Sequence, residues 1–235
     1  MIVSAFSLCF SPASTQLAEA YSVPIVEVNM CAVIFTATFV PMTFVAMWMY
    51  KVMKVDTVLR IASLMLLVGS WIRMLAKEGE FWPVFVGQVI ISLAQPIIYN
   101  VMAKFAIQWF SDSERTLVIA ACGLSIPGGN LMAFLMSGII FDGVENVTND
   151  LVVKQMLMKM LWVQNIWATV ICVPYIIIIR EKPAYPPSLC SLEKSKESNF
   201  CKEIKNALML PNYVKLMISY ALLQGGFISF GSNIS

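Results

Sequence analysis

The sequence predicts an all-α integral membrane protein, and three observations carry the prediction. Of 235 residues, 59% are hydrophobic and 13% charged, against roughly 25% charged in an average soluble domain. The apolar residues form continuous runs long enough to cross a bilayer as helices, not the alternating stretches of roughly 10 residues that build barrel strands. Basic residues concentrate on alternate connections between the runs. This composition excludes a soluble globule. A net charge of +2 from scattered lysines and arginines makes no basic stripe for phosphate recognition, so no nucleic-acid partner is expected and the bilayer is the medium. With no histidine in the chain, imidazole metal sites and a histidine base are excluded, and neither a metal nor a cofactor is expected. The cysteines fall at no metal spacing: Cys9, Cys31, Cys122 and Cys172 lie inside apolar runs, while Cys190 and Cys201 lie in a polar stretch.

Seven spans are expected, at residues 1–17, 29–50, 57–76, 82–109, 116–141, 160–179 and 214–235. The first lacks the basic leader of a signal peptide, and Ser4, Ser7, Ser11 and Ser14 make one polar face at helical spacing. The fourth repeats the device with Gln88, Ser92, Gln95 and Tyr99. Serines in membrane helices serve close packing as readily as they line a cavity. For the two glutamines the cavity reading is preferred, because an amide facing lipid leaves polar groups unsatisfied at several kcal/mol. In the fifth span Gly123, Gly128, Gly129 and Gly138 are read as packing residues, and in the seventh Gln224-Gly225-Gly226 is expected to loosen the helix. No acidic residue occupies the middle of a span, and Arg60, Arg73 and Lys104 are placed near helix ends, where they snorkel.

The connections give orientation and domains. Lys51, Lys54 and Arg60, then Lys104 and Arg115, then the six basic residues from Arg180 to Lys205 lie on one side. The positive-inside rule makes that side cytoplasmic, with the N-terminus inside. The sequon Asn146-Val147-Thr148 falls on the other side as a candidate glycosylation site. A six-helix bundle over 1–180, with its first helix truncated, precedes a proline-containing cytoplasmic linker at 181–211. Residues 212–235 open a second transmembrane half whose remainder is the missing partner.

Particular strings carry a resemblance. Trp48 and Gly69-Ser70-Trp71-Ile72-Arg73, Gly87-Gln88 through Ala94-Gln95, Trp109-Phe110 with Glu114-Arg115, and above all Arg180-Glu181-Lys182-Pro183-Ala184-Tyr185-Pro186-Pro187-Ser188 resemble the feline leukaemia virus subgroup C receptor-related family of the major facilitator superfamily. Phe10-Ser11-Pro12 and Ala18-Glu19-Ala20-Tyr21 are similar to that family's first helix. The resemblance implies the major facilitator fold and a carrier of haem, an organic cation or another small solute. It also implies a gating loop after the second span, which here reads Lys51, Lys54 and Asp56, with lysine where the superfamily has an acid. Choline carriers of the family hold the ammonium with a tryptophan, a glutamine and a tyrosine. The corresponding positions here are Ser7, Pro127 and Ile228, so choline is not carried over.

Three function classes compete. A solute carrier working by alternating access is the preferred reading, with Ser7, Ser11, Gln88, Gln95, Tyr99, Pro127, Gln224 and Ile228 as candidate cavity positions. A channel would want a charged ring and an enzyme a convergent nucleophile, base or metal set, and the sequence supplies none of these, so no enzymatic activity is expected. The alternative is a receptor-like membrane protein without transport, or an inactive truncated product. The residence is a plasma or internal membrane.

Overall fold

The computed structural model describes residues 1–76, 80–141, 150–178, 206 and 209–233, and within its last helix the side chains of Gln224 and of residues 227–233 lie outside that description. In chain order the helices are α1 (Ile2–Leu8), a 3-10 turn (Ser11–Ala13), α2 (Ser14–Tyr21), α3 (Ile25–Val52), α4 (Val55–Arg73) and α5 (Trp82–Asn100). They continue with α6 (Met102–Trp109), α7 (Arg115–Phe141), α8 (Asp150–Ile178) and α9 (Pro211–Asn233). There is no strand among the described residues. Among the described residues five helices, α3, α4, α5, α7 and α8, are long and apolar enough to cross a membrane.

The ends of these elements follow local chemistry. The first expected span is divided: Pro12, which has no N–H to give, sits in the 3-10 turn between α1 and α2. Ser22 then ends α2 in the left-handed region at φ 53°, with its N–H bonded to Glu19 O at 3.1 Å and that of Val23 to Ala18 O at 3.0 Å. The fourth span is likewise cut at Val101 into α5 and α6. The sixth begins ten residues earlier than expected, at Asp150 rather than residue 160, because nearly three more turns, carrying Lys154 and Lys159, continue the same helix outward. At the head of α7, Ser111 and Glu114 close on each other: Ser111 Oγ donates to Glu114 Oε2 at 2.7 Å and its N–H does so at 3.3 Å. The helix α9 runs unbroken through Gln224, Gly225 and Gly226, so the loosening expected there is corrected: the two glycines, though poor helix formers, still have every backbone bond to gain where water is scarce.

One compact unit, Met1–Ser191, contains α1 to α8, and a second, Leu192–Ser235, contains α9. Within the first, α4 turns a stripe inward, Val55, Val58, Leu59, Ala62, Ser63, Leu66, Gly69, Ser70 and Arg73, at steps of three and one. It lies against α5 at a backbone approach between glycines: a methyl group on Gly69 would stand 2.8 Å from Gly87 O, and one on Gly87 would stand 2.5 Å from Gly69 O. Gly129 lets α7 meet the start of α1, where a methyl group would stand 2.8 Å from Ser4 Cβ. Gly123, Gly128 and Gly138 face open space, so the packing role expected for all four glycines holds for Gly129 alone.

The buried apolar residues fall into two clusters. One gathers Phe10, Leu17, Tyr21, Phe81, Val84, Leu157 and Leu161; the other gathers Phe6, Phe35, Tyr50, Leu66, Ile91, Ile97 and Ala168. On each of three helices a polar residue lies between the two: Ser70 and Arg73 on α4, Gln88 on α5, Gln164 and Asn165 on α8. The bundle is therefore layered along its axis, apolar, polar, apolar. The expected 142–149 connection with Asn146, and most of the 181–211 linker, lie outside the described residues.

Candidate functional site

The polar layer is built around Arg73, the last residue of α4. It is 1% exposed, which corrects the snorkelling expected of it: α1 and α8 close over the end of α4 before the side chain can reach water. Its guanidinium lies 4.9 Å from the ring centre of Phe6 and 5.1 Å from that of Phe10. In its plane, NH2 donates to Gln164 Oε1 at 2.8 Å and to Cys9 Sγ at 3.6 Å. An unpaired ion in a bundle interior costs several kcal/mol. Two cation–π contacts at roughly 0.5 to 2 kcal/mol each and a charge-assisted hydrogen bond at about 1.5 to 3 kcal/mol are of the size needed to offset it. Gly87 makes the arrangement possible, because any side chain there would collide with the stem of Arg73.

Two amides complete the layer. Gln88 is wholly buried and its Nε2 donates to Phe6 O at 2.7 Å, serving one of the carbonyls that the end of α1 leaves without a helical partner. Cys9 Sγ points at the same carbonyl, at 3.2 Å. Ser70 Oγ lies 2.8 Å from both Leu67 O and Asn165. The Asn165 atom facing Ser70 is its carbonyl Oδ1, and since a hydroxyl has one proton, Ser70 donates to one of these two acceptors at a time.

A second polar patch lies nearer the other end of the same helices. Ser4 Oγ and Tyr99 OH are 2.7 Å apart, joining the serine face of α1 to the amide face of α5. Ser7 is half-buried and its hydroxyl returns to Ser4 O at 2.7 Å. Gln95, partly exposed, has an Oε1 without a hydrogen-bond partner. Ser11 is half-buried at the break in the first helix and Pro127 is exposed on α7. Gln224 and Ile228 have side chains outside the described residues. Of the expected cavity positions, Tyr99 meets the serine face of α1 through Ser4, to which Ser7 bonds, and Gln95 lies one turn before Tyr99 on α5, whereas Gln88 belongs to the inner layer. In the expected gating loop, Lys51 and Lys54 are exposed and Asp56 meets Arg60 at 3.8 Å one turn on. Lys104, expected to snorkel, donates to Tyr50 O at 2.6 Å and so caps the last turn of α3. Two surface grooves, of about 490 and 710 Å³, lie against α8, and no expected site residue lines either.

A family model described as Major Facilitator Superfamily matches residues 1–234. The chain belongs to the Major Facilitator Superfamily. Among superfamily relatives it is 27% identical to the choline/ethanolamine transporter FLVCR1 of Felis catus, over 97% of this chain and 41% of that protein. It is 26% identical to the choline/ethanolamine transporter FLVCR2 of Rattus norvegicus, over 99% of this chain and 44% of that protein. The uncharacterized MFS-type transporter C09D4.1 of Caenorhabditis elegans is 27% identical over 96% of this chain and 39% of its own length. The chain spans less than half the length of these relatives. Membership accounts for the all-α architecture, and the five apolar helices make the chain a multi-pass integral membrane protein.

Sequence reasoning did not single out Gln164 and Asn165. The signal was available: two adjacent amides inside a long apolar helix raise the same question of unsatisfied polar groups that directed attention to Gln88.

Proposed function

We propose that the chain forms the substrate-binding half of a carrier that moves a small neutral polar or zwitterionic organic solute by alternating access. The 1–180 bundle works with a second half that residues 212–235 begin, joined through the 181–211 linker. One observation carries the reading: Ser4, to which Ser7 bonds, meets Tyr99 across α1 and α5, one helical turn from Gln95, whose carbonyl oxygen has no partner among the described residues. Hydroxyls and an amide at that depth suit a polar, uncharged contact, and membership in a transporter superfamily supports it. FLVCR1 and FLVCR2 are named for choline and ethanolamine. The present chain has Ser7, Pro127 and Ile228 where aromatic and amide groups would hold a quaternary ammonium. A lost cation–π contact is worth roughly 0.5 to 2 kcal/mol, up to about thirtyfold in affinity.

The positive-inside rule supports an orientation with the Met1 end, Lys51, Lys54, Asp56 and Lys104 in the cytoplasm and Asn146 outside. The test is uptake by the full-length protein of choline, ethanolamine and a zwitterionic betaine. Betaine or another neutral solute is expected to be carried, and Gln95→Leu to abolish that uptake at unchanged surface level. Robust, saturable choline uptake would overturn the assignment of the cavity.

A further inference from the structure

The carrier reading leaves the most buried charge of the bundle without a role. Three of the contacts of Arg73 fall on one stretch of five residues: Phe6 in the last turn of α1, Cys9 at its end, and Phe10 just before the 3-10 turn. Its fourth, Gln164, ties the same group to α8, and Gln88 holds the Phe6 carbonyl from α5. The break in the first helix is therefore gripped from three neighbouring helices. Helix ends release carbonyls that lipid cannot satisfy, and the cation stands at the negative end of α1, where a positive charge is favourable. No carboxylate is bonded to Arg73 among the described residues, so the charge depends on these particular contacts.

We propose that Arg73 is a positioning residue: its guanidinium fixes the bend of the first helix and thereby aims the Ser4, Ser7 and Ser11 face into the solute path. The aiming of that face rests on the carrier reading; the bend itself does not. The role asks for a planar fork that stands over two aromatic rings while its N–H groups bond an amide and a sulfur. Lysine, a point charge with tetrahedral donors, does not supply this.

Ser11 sits at the bend and serves as the reporter. In the full-length protein carrying Ser11→Cys, the rate of modification by a small water-soluble thiol reagent is measured with the protein in membranes, against the same protein without that substitution. Adding Arg73→Gln is expected to change the rate about tenfold, the effect of losing one to two ring contacts. Arg73→Lys is expected to restore it only in part, and Phe10→Leu to give a smaller change in the same direction. Betaine uptake, normalised to surface copies, is expected to show a raised KM. If Arg73→Gln does not reach the membrane, Phe10→Leu decides alone. Modification at the unaltered rate in the variants that reach the membrane overturns the proposal. A changed rate in a full-length protein that carries no solute overturns the carrier reading instead and leaves the bend's dependence on Arg73 standing.

Discussion

At Gly87 two requirements meet in one missing methyl group: α4 must approach within van der Waals contact, and the stem of Arg73 must pass. Gly87→Ala is therefore expected to destabilise the bundle by about 1 to 3 kcal/mol, as overpacking does, while Gly123→Ala, inside α7 with nothing within 4 Å, is expected to raise stability by up to about 1 kcal/mol. Thermal unfolding of the purified protein in detergent separates the two. Gln88→Leu is expected to cost about 1 to 3 kcal/mol by leaving Phe6 O without its amide donor, read by the same unfolding curves. The cost of an amide in lipid kept Gln88 off the lipid face, but the cavity expected around it is instead a packed layer in which the side chain is wholly buried. The sequence could not show which carbonyl the amide reaches, since Phe6 lies 82 positions away. Arg73 fails in the opposite direction: its address at a helix end was legible, but the two rings that cover it come from a different span.

Among elements, the boundaries read from apolar runs agree with α3, α4 and α7 to within a few residues, and with the start of α5, because lipid thickness sets both the run and the helix. Breaks were less legible. Pro12 divides the first span, yet Pro41, Pro96, Pro127 and Pro174 all lie inside unbroken helices, so proline alone does not decide. At the end of α2, Ser22 adopts a backbone conformation that glycine takes without steric penalty. Ser22→Gly is expected to raise stability by about 1 kcal/mol, visible as a higher unfolding temperature. At the head of α7 the Ser111 hydroxyl and then its backbone N–H hold the Glu114 carboxyl below its ordinary 4.5. A depressed carboxylate stabilises the fold above its unfolded pKa, and that contribution disappears as the pH falls through the folded value. Glu114→Gln is thus expected to lower the unfolding temperature slightly at neutral pH and to match the unaltered protein only once the pH has fallen below the depressed folded value.

For the whole molecule, orientation is the property most open to a direct check. Lys196→Cys is expected to resist a membrane-impermeant thiol reagent in intact cells, whereas Asn146→Cys is expected to react. The reverse pattern would turn the bundle over and move the Ser111 and Glu114 cap outside. The helices also differ in length in a way that bears on the surrounding lipid. At 1.5 Å per residue the 19 residues of α4 and of α5 reach about 28 Å, while the 28 of α3 reach about 42 Å. A long helix meets a hydrocarbon layer of about 30 Å by tilting, but α4 and α5 are joined backbone to backbone at Gly69 and Gly87 and have no length to give up. The thickness that the protein prefers is then set by its shortest, most tightly joined pair. Reconstituted in bilayers of increasing acyl length, it is expected to lose thermal stability first on the thick side, because stretching lipid past that pair exposes its ends to hydrocarbon whereas thinning merely tilts the others further.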